Sequence, residues 1–165
     1  MKLFASLFFL FFAVNIANAQ VKESIYNPEA NAASDLKNAL IKAKTENKQV
    51  LLQVGGNWCK WCIRFNKFCS ETSAVDSMLK ANYVLLHINY SKENKNLSLL
   101  KQLEFPQRFG FPVLLVLDAS GKRLHTQDSG FLESGEGYDK EKVLTFLKQW
   151  TVDSLKPEKY LETNK

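Results

Sequence analysis

Two thiols in Cys59-Lys60-Trp61-Cys62 follow the apolar run Val50-Leu51-Leu52-Gln53-Val54 and open a helix-compatible segment, and no other feature restricts this chain so tightly. At a strand-to-helix junction this spacing brings two sulfurs within disulfide reach, so the pair can alternate between dithiol and disulfide. A fold that holds it must deliver a buried strand, a short turn and a helix N-terminus in succession. The motif reads as redox chemistry.

The first residues bear on where that chemistry takes place. Lys2 supplies a positive start, Leu3 to Val14 is almost unbroken apolar chain, and Ala17-Asn18-Ala19 offers the small residues of a cleavage site. The apolar stretch is shorter than the roughly 20 residues of a membrane span. The reading is a signal peptide over residues 1–19, cleaved near Ala19, with a mature chain from Gln20 in the periplasm or outside the cell. No Cys follows the cleavage site to carry a lipid.

The rest of the 165-residue chain is of single-domain size and folds without disulfide staples. Its three cysteines suit one reactive pair and a bystander rather than a stapling framework. The net charge of +5 is spread among interspersed Lys and Glu, which describes a solvated surface and excludes a nucleic-acid patch.

Periodicity predicts a first helix from about Ser34 to Thr45, capped near Asn31 or Ser34, and a buried strand from Val50 to Val54. A helix follows from Lys60, with a break near Ser70 to Ser73 and a second helical set at Val75, Met78 and Leu79. Tyr83 to Asn89 is a strand, and Leu97, Leu100 and Leu103 mark a short helix ended by Pro106. Val113 to Leu117 and Lys122 to Asp128 form an antiparallel pair around the turn Asp118-Ala119-Ser120-Gly121. Gly130, Gly135 and Gly137 loosen the next connection, and a last helix runs from about Lys140 to Leu155, stopped by Pro157. This order predicts an α/β fold with a mixed sheet covered by helices on both faces.

The segment Gly56-Asn57-Trp58-Cys59-Lys60-Trp61-Cys62 resembles the active site of the thioredoxin superfamily, and Phe109-Gly110-Phe111-Pro112-Val113 resembles the segment that carries its cis-proline. The resemblance spans about Leu36 to Trp150 and is nearest to exported bacterial thioredoxin-like proteins. It implies a three-layer α/β/α sandwich with a mixed central sheet. It implies one domain over residues 20–165, with its core at about 34–155 and a short polar tail.

In that frame Cys59 is the nucleophile, because unpaired N–H groups and the dipole at a helix N-terminus favour a thiolate. Cys62, less exposed, resolves the mixed disulfide, so Cys59-Cys62 is the redox-active disulfide. Lys60 adds positive charge, the exposed ring of Trp61 shapes the contact surface, and Trp58 shields the thiolate. The resemblance places a cis Pro112 against the pair and a substrate segment along Phe111, whose bulk makes the groove narrower or more apolar. Gln53 stands where thioredoxins often hold a buried acid, and an amide cannot take the resolving thiol's proton as a carboxylate does.

Cys69 reads as a buried inert thiol, His87 and His125 lie outside metal-ligand spacing, and Gly55-Gly56 is a turn rather than a phosphate loop. The function expected is a thiol-disulfide oxidoreductase acting on protein thiol or disulfide substrates with a redox partner protein, in the reducing direction. Alternatives are a disulfide-forming oxidase of the same fold and a soft-metal Cu(I) carrier, since paired thiolates ligate such ions. The expected protein is monomeric, needs no dissociable cofactor or metal, and has no stable membrane insertion after cleavage.

Overall fold

A computed structural model describes residues 24–161. The signal peptide expected over residues 1–19 lies outside them.

Helix α1 (Ala32–Glu46) begins where the Asn31 side chain accepts the Ser34 N–H at 3.1 Å, and it ends at Asn47 in a left-handed conformation. Strand β1 (Gln49–Gly55) follows, then α2 (Lys60–Glu71), α3 (Ser73–Asn82) and β2 (Tyr83–Asn89). Helix α4 (Leu97–Gln102), β3 (Val113–Leu117), β4 (Arg123–Asp128), a short hairpin of β5 (Glu133–Ser134) and β6 (Gly137–Tyr138), and α5 (Lys140–Gln149) complete the order.

The sheet runs β2-β1-β3-β4, with β1 parallel to β2 and antiparallel to β3, and β3 antiparallel to β4. Alternation along the central strands builds two cores, because successive side chains leave a strand on opposite faces. Val50, Leu52 and Val54 of β1 join Val113, Leu115 and Leu117 of β3 under Ala39 and Ala43 of α1 and Leu99 and Leu100 of α4. On the other face Leu51, Leu114 and Val116 pack with Phe65 of α2, Val75 and Leu79 of α3, and Val143 and Leu147 of α5. This is the α/β/α sandwich with a mixed sheet. Every residue of β1 is buried, so the strand leading into the cysteines is held on both edges and both faces.

Three elements differ from the sequence reading. Helix α4 ends at Gln102, before Pro106 acts, because Glu104 and Phe105 turn left-handed at φ 58° and 55° and the Phe105 N–H closes onto the Leu100 carbonyl at 2.7 Å. Helix α5 stops at Gln149 rather than Leu155. Trp150 leaves the helical conformation and stacks on His125, centroids 4.5 Å apart, and the Thr151 hydroxyl accepts the Ser154 N–H to start a separate short turn. The glycine-rich connection contains the β5-β6 hairpin, with Gly135 at φ 56° in its turn. Among the described residues no helix is long and apolar enough to cross a membrane.

Leu115 is fully enclosed between β1 and β4, whereas Leu85 on β2 is 37% exposed. Leu115→Ala should cost about 2–5 kcal/mol by leaving a cavity, and Leu85→Ala clearly less. Urea-denaturation midpoints of the two variants check this order.

Candidate active site

The turn between β1 and α2 is shaped by what its glycines must admit. A methyl group on Gly55 would overlap the Cys62 sulfur and sit 2.8 Å from the Tyr26 hydroxyl. One on Gly56 would lie 2.7 Å from the Tyr90 carbonyl, under the Trp58 indole. Asn57 then ties the turn to the segment before α1. Its Oδ1 accepts the N–H groups of Ile25 and Tyr26, both at 3.1 Å, and its Nδ2 donates to the Tyr26 carbonyl at 2.7 Å and the Ser24 hydroxyl at 3.0 Å.

Cys59 occupies the N-cap of α2, where its sulfur accepts the Cys62 N–H at 3.1 Å. Here a sulfur takes the place of the usual capping oxygen, so one of the helix's orphan donors points at the reactive atom. Cys59 and Cys62 form a disulfide, their Cα atoms 5.3 Å apart. Cys62 is fully enclosed. Cys59, expected as the exposed partner, is only 5% exposed because Ile25, Trp61 and Phe111 close around the pair.

The Phe111-Pro112 peptide is cis and lies beside the disulfide, with the Phe111 carbonyl 3.6 Å from the Cys59 sulfur. Gly110, at φ 88°, turns the chain into this segment. Phe111 sits between Trp58 and Tyr90, at centroid distances of 5.4 and 4.9 Å. Trp58 donates from Nε1 to the Tyr90 carbonyl at 2.6 Å and leaves 55% of its surface in solvent. It forms one wall of a cleft of about 620 Å³ with Pro28, Asn57, Tyr90 and Lys92.

Trp61 is not the exposed ring the sequence suggested. Tyr138 meets it edge-on at 5.6 Å and donates to its carbonyl at 3.2 Å, and the Arg64 guanidinium lies 5.1 Å above its ring. Its ring is thereby half-buried against the hairpin side of α2. Lys60 projects into solvent.

Beneath the pair, Gln53 is 1% exposed and its Nε2 donates to the Tyr26 hydroxyl at 2.7 Å and the Cys62 carbonyl at 3.1 Å. Tyr26 is also 1% exposed, and burial pushes its phenol well above the ordinary range, keeping it neutral. His87, the β2 neighbour of Gln53, meets the Tyr26 ring edge-on at 5.4 Å, and burial lowers its basicity. Tyr26 has no sequence signal of its own, being a single aromatic outside any periodic segment. Asn57 was visible only as part of the cysteine motif. Among the described residues no three His, Cys, Asp or Glu side chains gather as a metal site.

A CXXC disulfide at a helix N-terminus, on a mixed sheet between two helical layers and facing a cis-proline, defines a thioredoxin-fold disulfide oxidoreductase. The Thioredoxin-like family model matches residues 31–119, and the chain belongs to that family. The chain is 30% identical over 115 residues to the thiol:disulfide interchange protein DsbD of Vibrio cholerae, a match covering 68% of this chain and 18% of that protein. Its Actinobacillus pleuropneumoniae counterpart is 28% identical over 121 residues, covering 72% of this chain and 20% of that one. The chain thus spans about a fifth of the length of the curated relatives it matches. A disulphide isomerase structure from Xylella fastidiosa superposes with a TM-score of 0.68 at 24% identity, covering 77% of this chain and 96% of that one, a likeness of fold.

Cys69 stands apart, buried between α2 and α3, with its thiol pushed up from 9.0 to about 12 by burial and then by the Asp76 charge. In the reduced native protein it should resist alkylation at neutral pH while Cys59 is labelled, as mass mapping would show. The fold favours its protonated form, so the stability it contributes is complete below pH 9 and is lost as pH rises toward 12. That loss is about 1.4 kcal/mol per pH unit. Urea unfolding across this window should show a shallower pH slope for Cys69→Ala.

Proposed function

We propose that this protein is an exported thiol-disulfide oxidoreductase that reduces disulfides in protein substrates. The observation that carries the reading is the Cys62 N–H aimed at the Cys59 sulfur at the start of α2, with Cys62 enclosed directly behind it. Hydrogen bonds to charged groups contribute about 1.5–3 kcal/mol, so this donor favours Cys59 as the thiolate that attacks and leaves.

The Cys59 thiolate attacks one sulfur of a substrate disulfide, forming a mixed disulfide and releasing the substrate's other sulfur. Cys62 then attacks the Cys59 sulfur, the Cys59–substrate bond breaks, and the substrate departs with both electrons of the pair. A redox partner protein returns the pair to the dithiol. The substrate chain runs along Phe111 and Pro112, with apolar side chains against Trp58 and its cleft, while Lys60 and Trp61 border the contact from α2. The naming of the relatives as thiol:disulfide interchange proteins supports this class of substrate.

The location rests on the leader-like residues 1–19 and on relatives named as interchange proteins. In this reading cleavage near Ala19 frees a single monomeric domain, residues 20–165, into the periplasm or the exterior.

Cys62→Ser should accumulate mixed disulfides with extracytoplasmic proteins, because the internal escape route is gone, and Cys59→Ser should trap few. Acid-quenched samples compared on reducing and non-reducing gels show the difference. No reducible adducts with Cys62→Ser, together with tight Cu(I) binding by the unmodified protein, would overturn the assignment in favour of a metal carrier. A reduction potential near thioredoxin's, about −270 mV, supports the reducing direction, and one near −120 mV gives the opposite direction.

A further inference from the structure

Resolution requires Cys62 to become a thiolate inside the protein, and the position where the superfamily often keeps an acid holds Gln53. The groups facing Cys62 are Cys59 on its own helix, Tyr26 from the segment before α1, and Gln53 from β1, with His87 of β2 against Tyr26 and Tyr138 of β6 behind Trp61. None of these is a carboxylate.

Gln53 gives its amide hydrogens to the Tyr26 oxygen and the Cys62 carbonyl. The phenol oxygen therefore already accepts a hydrogen bond, which leaves its own hydrogen for another acceptor. That hydroxyl and the Cys62 sulfur border one methyl-sized space, kept open by the missing side chain of Gly55. In the disulfide the sulfur is bonded to Cys59. In the mixed-disulfide state it carries charge, and the nearby O–H becomes a charge-assisted donor. Asn57 holds the Tyr26 backbone at both its N–H and its carbonyl, so the ring is fixed relative to the active-site turn.

We propose that Tyr26, held by Gln53 and Asn57, is a positioning residue that hydrogen-bonds the Cys62 thiolate and so sets the rate at which substrate is released. The inference deepens the oxidoreductase reading and rests on it. In the step it assists, the Cys62 thiol gives its proton to water and the new thiolate attacks the Cys59 sulfur. The Cys59–Cys62 bond forms, the Cys59–substrate bond breaks, and the departing substrate thiolate takes up a proton. The phenol donates a hydrogen bond and keeps its own proton.

The test compares Cys59→Ser with Cys59→Ser/Tyr26→Phe, following the Cβ resonance of labelled cysteine against pH. Losing the donor should lower the Cys62 thiolate fraction at a fixed pH about tenfold, which is about 1.4 kcal/mol. The Tyr26 Cζ resonance of the Cys59→Ser protein should follow the same titration, a readout that does not require the Phe variant to fold. In the otherwise native protein, Tyr26→Phe should slow resolution about threefold, since a more basic thiolate recovers part of the loss through greater nucleophilicity. A Cys62 titration unchanged by Tyr26→Phe, or a Tyr26 Cζ resonance that is silent while Cys62 ionises, overturns the proposal. The titration needs no substrate. Trapping by Cys62→Ser with an unchanged titration therefore removes the Tyr26 role alone, whereas a shifted titration without trapping and with tight Cu(I) binding keeps the hydrogen bond and removes the oxidoreductase reading together with the release step.

Discussion

The 3.1 Å contact between the Cys62 N–H and the Cys59 sulfur is the interaction around which this molecule is arranged. It exists only if a helix begins immediately after Cys59 and the preceding turn is held still. Strand β1 meets the second need. It lies between β2 and β3, buried along its whole length, and its last residues are Gln53, which binds the Cys62 carbonyl, and the small Gly55 that admits the Cys62 sulfur. Precise chemistry is thus mounted on a central, fully buried strand, which keeps the two sulfurs in register.

The floor of the site is polar but uncharged. Gln53 carries no charge, burial holds the Tyr26 phenol neutral, and burial also disfavours a charged His87. A carboxylate in that place would repel a second negative charge on Cys62. A phenol held by the amide offers it a hydrogen-bond donor instead, so departure from the acid does not leave the resolving sulfur without support. The outer wall is aromatic, with Trp58, Phe111 and Tyr90 in edge and tilted contact. Apolar wall and polar floor meet at the disulfide, with the exposed aromatic side toward Cys59 and the enclosed polar side toward Cys62.

Much of this was legible in the chain because it is local. Apolar runs marked β1 and β3, Asn31 or Ser34 marked the start of α1, where the structure gives the cap to Asn31, and the cysteine spacing marked the redox pair. What escaped has non-local causes. The end of α5 is decided by Trp150 stacking on His125 of β4, and the burial of Trp61 by Tyr138 arriving from a two-residue strand. The covering of Cys59 by Ile25 and Phe111 comes from segments 34 residues before it and 52 residues after it. Tyr26 is the plainest case, since its meaning lies entirely in the residues that surround it after folding.

The four hydrogen bonds between the Asn57 side chain and Ser24, Ile25 and Tyr26 carry a consequence for what counts as the minimal unit of this protein. The family match begins at residue 31, one residue before the first helix, and ends just after β3. An excised fragment with those limits would keep both cysteines and the cis-proline but lose the strap that passes behind them. The redox module of this chain is therefore larger than the pattern by which it is recognised, extending past it to β4 and α5 and, before it, to a strap that lies upstream of every regular element.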